Sequence, residues 1–221
     1  MKSADAFNVI GRPAPRVDGE EKVTGKAIYT VDIELPGMAH GKILRSPYAH
    51  ARLIRVDSSK AERLPGVYGV ITREDQRAFG MFGAAYKDQT VVAVDKVRYV
   101  GDPVAAVAAV DEETAEEALG LIEVDYEELA AVTSIAEAIA PGAPLVHDAS
   151  ARGGELMGER YDTPKEFVGT NLCYRFSYSK GDVTEGFKKA DFVFEDTFTF
   201  PRVQHFSMEP HATVAHVARS W

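Results

Sequence analysis

Between residues 26 and 71 the chain runs in short β-prone stretches, 27–31, 41–45, 51–56 and 66–71, parted by Pro36-Gly37, Ser46-Pro47 and Pro65-Gly66. Branched and aromatic residues suit a pleated surface and the proline-glycine pairs suit turns, so each stretch predicts a strand. Over 52–57 apolar and polar positions alternate, as a strand with one wet face requires. Residues 58–64 predict a short helix with a serine cap, and 72–75 another short turn of the same kind. The stretch 79–86 is rich in glycine and aromatics without period and reads as a loop that exposes or tucks in Met81, Phe82 and Tyr86.

The clearest local pattern is a strand over 104–110, a helix over 112–119 and a second strand over 121–127. Asp111 can accept from the first free amides of the helix, Glu112 and Glu113 complement its positive end, and Ala115, Ala118 and Leu119 form a narrow apolar stripe. So small a stripe lets the helix lie close to a sheet. The apolar run 104–110 is that of a strand covered on both faces.

Elsewhere the texture differs. Two prolines at 13 and 15 predict an extended lead-in over 1–24. Over 132–168 prolines and glycines replace sustained apolar patterns, which predicts a linker. Beyond it come alternating stretches at 171–179 and 191–200, a short helix after Gly181-Asp182 with Val183 and Phe187 one turn apart, and alternation again over 213–217. A second domain beginning near 169 has too few elements to be complete: about 50 residues with roughly three strands do not bury enough surface to stand alone. The fold class is therefore mixed α+β.

Composition narrows the chemistry. With 34 acidic against 25 basic residues among 221, the net charge of -9 disfavours nucleic acid and anionic membrane surfaces as partners. One cysteine, Cys173, leaves no disulfide framework and no thiolate cluster for zinc or iron-sulfur ligation. The first ten residues carry one lysine and no signal-peptide core, and nowhere do about 18 uninterrupted apolar residues occur, so the expected compartment is the cytoplasm.

Phosphate-loop, His-Glu-x-x-His and Gly-x-Ser-x-Gly templates are missing. His205, Glu209 and His211 are of types that suit zinc or non-haem iron, but Pro210 breaks any helical spacing. Glu209 and His211 are read instead as polar side chains buried beside a turn. The acidic run 112–117 reads as a solvated helix face, and carboxylates on alternate sides of a strand at 125–128 do not converge on a cation.

Five strings then occur in a family's order and at its distances: Arg-Val-Asp-Gly at 16–19 with Lys-Val-Thr-Gly-Lys-Ala-Ile-Tyr at 22–29, Gly-Lys-Ile-Leu-Arg-Ser-Pro-Tyr-Ala-His-Ala at 41–51, Asp-Lys-Val-Arg-Tyr-Val-Gly-Asp-Pro at 95–103, Val-Asp-Tyr-Glu at 124–127 and His-Phe-Ser-Met-Glu-Pro-His-Ala at 205–212. Together they resemble the N-terminal part of the molybdopterin-binding large subunit of xanthine dehydrogenase/aldehyde oxidase-type molybdenum hydroxylases. The resemblance implies a hammerhead-type α/β domain over 25–131 and the start of a molybdopterin-binding domain over 169–221. It implies oxidation of an aldehyde, purine or other N-heteroaromatic, or in one branch reduction of an aromatic thioester.

The same resemblance implies a molybdenum-molybdopterin centre in the assembled complex, and 2Fe-2S clusters and FAD on partner subunits. The family's Gly-Gly-Phe-Gly loop, its glutamine-bearing strand and its catalytic glutamate are missing from these 221 residues, so no catalytic, cofactor-binding or metal residue carries over. Met81 and Phe82 sit where the family places a hydrophobic pair at the mouth of the substrate channel. Met1 and the lead-in suggest a genuine start, so the expected partners are the rest of the large subunit, an iron-sulfur subunit, an FAD subunit and a small-molecule substrate. The alternatives are a non-catalytic binding or assembly module that reuses the hammerhead fold and a fragment of an ordinary undivided large subunit.

Overall fold

The computed structural model describes residues 11, 13–83, 86–147, 153–156, 159–162, 165–172, 175 and 177–217. In chain order the elements are α1 (Gly19–Val23), β1 (His40–Arg45), β2 (Ala51–Asp57), α2 (Ser59–Glu62), β3 (Val67–Ile71), β4 (Lys96–Val97), β5 (Pro103–Ala109), α3 (Glu112–Gly120), β6 (Glu123–Glu128), α4 (Ile135–Ile139), β7 (Gly153–Leu156), β8 (Glu159–Asp162) and α5 (Val183–Lys189). Single 3₁₀ turns add Thr30–Asp32, Asp75–Ala78 and Lys165–Phe167.

Two antiparallel three-stranded sheets form the centre, one ordered β1-β5-β3 and the other β4-β2-β6, and β7 pairs with β8 in a hairpin. β5 is flanked on both sides, so its small side chains are the ones that elements can approach closely. Ala105, Val107 and Ala109 turn to α3, where Ala115 and Ala118 are fully buried, and Ala61 and Ile122 complete this cluster. Val104 points the other way, into a second cluster with Ala51, Leu53, Ala93 and Val97. Val56 and Val124 pack against both clusters, joining the sheets through one core. Each fully buried valine contributes about 1.5–3 kcal/mol of transfer free energy.

α3 starts as expected: Asp111 is extended and accepts from the Thr114 amide at 2.7 Å, and Lys42 of β1 pairs with Glu112. The strands on either side of α3 separate, β5 into one sheet and β6 into the other. β6 lies against β2 with Arg55 opposite Asp125 and Arg52 opposite Glu127, so its carboxylates meet arginines on the wet face. Arg55 reaches Asp125 at 2.9 Å, Glu123 at 3.1 Å and Asp57 at 2.8 Å.

Several elements differ from the sequence reading. The extended lead-in ends in α1, and the strand expected over 27–31 is a 3₁₀ turn in which the Asp32 carboxylate accepts from the Tyr29 amide at 2.8 Å. A short acidic side chain offers the backbone a local partner in place of a ladder. At α2, Ser58 makes no side-chain cap; Asp57 accepts from the Ser59 amide at 3.0 Å instead. The stretch read as a linker contains α4, closed by a reciprocal Ser134–Glu137 capping box, and the β7–β8 hairpin.

Polar groups dock this stretch: the Asn171 side chain accepts from the Val146 amide at 2.9 Å and donates to the carbonyls of Ala138 and Pro144, each at 3.0 Å. Of the stretch 171–179 expected as a strand, the described residues 171, 172, 175 and 177–179 are not in one, and residues 173, 174 and 176 lie outside the described residues. α5 forms where expected, capped by Asp182. No strand forms over 191–200 or 213–217, because an alternating sequence becomes a strand only when another backbone supplies its hydrogen bonds.

The chain divides into two units, 37–192 and a second made of 1–36 with 193–221. In the second unit, α1 and the Thr30–Asp32 turn are the regular elements among the described residues. Among the described residues no helix is long and apolar enough to cross a membrane.

Candidate functional site

The loop carrying Met81 and Phe82 leaves the end of β3 through the Asp75–Ala78 turn. Asp75 accepts from the Thr72 amide at 2.8 Å, which sets the turn, and places Gln76 in the interior with 6% of its surface exposed. The Gln76 amide is used at both ends: its oxygen accepts from the Val91 and Val92 amides at 2.8 and 3.3 Å, and its nitrogen donates to the Phe79 carbonyl at 3.2 Å. One buried side chain thus pins both feet of the loop.

Midway, Phe82 and Gln89 exchange backbone hydrogen bonds at 2.9 and 3.0 Å. At Gly83, φ is +142° and a Cβ would stand 1.8 Å from the Tyr86 carbonyl oxygen, so only glycine closes the loop here. Met81 and Phe82 remain 60% and 49% exposed.

Beside this loop is a cleft of about 710 Å³. Its apolar surface comes from Leu53, Phe79, Met81, Val94 and Leu129, and its charges are four cations, Arg52, Arg73, Arg77 and Lys96, against Glu74 and Asp95. Met81 lines the cleft and Phe82 does not. Arg73 is held by backbone: it donates to the Leu53 carbonyl at 2.8 Å and the Ile54 carbonyl at 3.2 Å. Arg52 is paired with Glu127 at 2.9 Å, Asp95 with Arg98 at 3.5 Å, and Lys96 donates to the Leu145 carbonyl at 3.2 Å. The exposed Arg77 side chain has no ion pair or hydrogen bond among the described residues. None of these cations stands out in the sequence, because they come from separate elements.

A second feature is His50, 7% exposed, which immediately precedes β2 and lies in the family string at 41–51 without a role assigned there. Its Nδ1 lies 2.8 Å from the Ala130 carbonyl and its own carbonyl accepts from the Leu129 amide at 2.9 Å, which fastens the chain where it leaves β6. Its Nε2 is buried without a partner among the described residues. In the turn before β5, burial holds the Asp102 carboxyl above the usual carboxylate range, against the opposing hydrogen bond from the Arg98 amide and the Arg98 charge.

The histidine-rich segment behaves differently from its sequence reading. Glu209 and His211, expected to be buried beside a turn, are exposed, as is His205. Among the described residues no group of three His, Cys, Asp or Glu side chains converges as a metal site. A pterin cofactor needs convergent donors in a concave, largely apolar cradle. The described side chains of 193–217 are exposed apart from Val214, so these residues do not by themselves fit that group.

Residues 24–130 match the family "Aldehyde oxidase and xanthine dehydrogenase, a/b hammerhead domain" and residues 165–220 the "Molybdopterin cofactor-binding domain". The chain is similar to a probable xanthine dehydrogenase subunit of Bacillus subtilis (strain 168), 41% identical over 208 residues, covering 94% of this chain and 25% of that protein. It is also similar to the nicotinate dehydrogenase large molybdopterin subunit of Eubacterium barkeri, 32% identical over 210 residues, covering 95% of this chain and 45% of that protein. Among solved structures it resembles the reconstituted CO dehydrogenase from Oligotropha carboxidovorans, with a TM-score of 0.56 and 38% identity over 61% of this chain and 17% of that one. The chain therefore spans a quarter of the Bacillus relative and under half of the Eubacterium one. With a hammerhead match and a molybdopterin-binding match in one order on one α+β chain, the chain belongs to the xanthine dehydrogenase/aldehyde oxidase family of molybdenum hydroxylases and corresponds to the N-terminal part of their molybdopterin-binding large subunit.

Proposed function

We propose that this chain works as a subunit or fragment of a molybdenum hydroxylase whose molybdenum-contacting residues are supplied from outside these 221 residues. The observation that carries this reading is the exposed apolar surface near the C-terminal end of the sequence. Phe192, Phe194, Phe198 and Phe200 are 79–87% exposed, Phe206 and Met208 are 95% and 94% exposed, and residues 191–217 form no helix or strand. A soluble protein does not leave so many large apolar side chains in water, and alternation without a partner strand is the pattern of a segment completed by another backbone.

In this reading 25–131 is the hammerhead domain, 132–168 the connection and 169–221 the beginning of the molybdopterin-binding domain, with 1–24 as the lead-in. When bound in the completed domain, molybdenum-molybdopterin supplies the redox chemistry. The relatives named for xanthine and nicotinate support an N-heteroaromatic substrate. Iron-sulfur and FAD subunits complete the electron path. The lone cysteine suits a reducing compartment, and the cytoplasm is the proposed location. Met81 and Phe82 border the substrate entrance, where an apolar pair selects flat substrates by shape. Phe82→Ala in the assembled enzyme then changes substrate affinity; an unchanged substrate profile would return the residue to a packing role.

The decisive experiment is gentle purification from the native cells, with mass spectrometry of what co-purifies and molybdenum and iron assays on the same sample. Stoichiometric recovery of a large-subunit polypeptide bearing a Gly-Gly-Phe-Gly loop, with both metals, is the expected result. A metal-free monodisperse monomer would sink the proposal and leave a binding module.

A further inference from the structure

We propose that the cleft beside the Met81 loop binds a small organic anion, a carboxylate carried on a flat apolar body. The charge contrast is the first argument. The chain as a whole carries -9, yet this cleft presents Arg52, Arg73, Arg77 and Lys96 against two carboxylates. A local field of the opposite sign concentrates anions from solution.

The cations also differ in how far they are neutralised. Arg73 is fixed by two backbone carbonyls, which orient its guanidinium without cancelling its charge, and its carboxylate partner among the described residues, Glu74, stands 3.4 Å away and is 83% exposed. Arg77, one helical turn further on, has no acceptor among the described residues. A planar guanidinium fork fits a carboxylate with two parallel hydrogen bonds.

The apolar half of the lining decides between a bare inorganic anion and an organic one. Phe79 and Met81 are 37% and 60% exposed, and a ring beside a polarisable thioether suits a flat apolar body. The volume of about 710 Å³ is that of a small-molecule site. The wall is pre-formed, because the buried Gln76 amide ties the Asp75–Ala78 turn to Val91 and Val92. This inference shares Met81 with the substrate-entrance reading but does not rest on it, and co-purification tests that reading separately.

The test is a calorimetric titration, at low ionic strength, of the purified complex that contains this chain with benzoate, benzyl alcohol and inorganic phosphate. Benzoate is expected to bind saturably and to weaken about tenfold in Arg77→Gln, the scale of one charge-assisted hydrogen bond. Met81→Ala, which leaves the charges in place, is expected to weaken benzoate more than phosphate. Absence of saturable binding, indifference to both substitutions, or phosphate or benzyl alcohol binding as tightly as benzoate overturns the proposal. Tighter binding of a short glutamate peptide than of benzoate would also overturn it, making the cleft a protein-docking site.

Discussion

At Gly66 a single hydrogen decides the backbone. Its φ is +93°, and a Cβ there would stand 3.0 Å from Val110 Cγ1 and 3.2 Å from Thr114 Cγ2. Its carbonyl accepts from the Val110 amide at 2.8 Å, so the turn after α2 is tied to the end of β5. Gly66→Ala is therefore expected to destabilise the chain by about 1–2 kcal/mol, from left-handed strain and crowding together. Thermal unfolding checks it, and an unchanged midpoint would mean that the turn relaxes freely. Pro65-Gly66 marks this turn in the sequence, whereas the two methyl groups above it belong to Val110 and Thr114, far along the chain. Asp57 makes a similar point: Ser58 has the residue type of a cap for α2, but the side chain one residue earlier reaches the Ser59 amide.

At the scale of elements, α3 shows how a stripe of small residues sets a distance. Ala115 and Ala118 are fully buried against Ala105, Val107 and Ala109 of β5. Close approach is possible because the helix presents only a methyl group at each of its buried positions, 115 and 118. Ala118→Leu must push the helix outward or force its neighbours off their rotamers, at a cost of about 1–3 kcal/mol. Urea unfolding measures this, and Glu117→Ala, on the exposed side of the same helix, is the control expected to change little. If the two variants unfold alike, the close seating of α3 carries no weight. The alternating stretch 191–200 is the opposite case, an element with a pattern but no partner among the described residues.

For the molecule as a whole, the exposed ion pairs set the response to acid. Asp111 and Glu112 are held below the usual carboxylate range by the Thr114 and Lys42 hydrogen bonds respectively, and Glu123 by Lys60 and then Arg55. A carboxylate lowered by folding contributes stability at neutral pH that is lost as pH falls through its folded value. Asp102 acts in the opposite sense: burial raises it, so its contribution is present in acid and lost as pH rises through its folded value. The lowered groups outnumber it, so the urea midpoint is expected to fall between roughly pH 5 and pH 2. Because the pairs are exposed, high salt at neutral pH is expected to reduce the midpoint only slightly. A midpoint independent of pH through the acid range would remove these pairs from the account.

What the sequence determined by itself is whatever depends on neighbours along the chain. The run from β5 through Asp111 to α3 and β6 carries its own punctuation, α5 is marked by Asp182, and the family strings are contiguous. Tertiary structure alone decided which sheet each strand joins, because a hydrogen-bonding edge has no address in the sequence. It also decided that residues 132–147 are tied down, through Asn171, Lys96 and Arg98, by polar contacts to which hydrophobic periodicity is blind. The cleft is the clearest example: Arg52, Arg73, Arg77 and Lys96 converge only after β2, the Asp75–Ala78 turn and β4 have been brought together by the packing of a shared core.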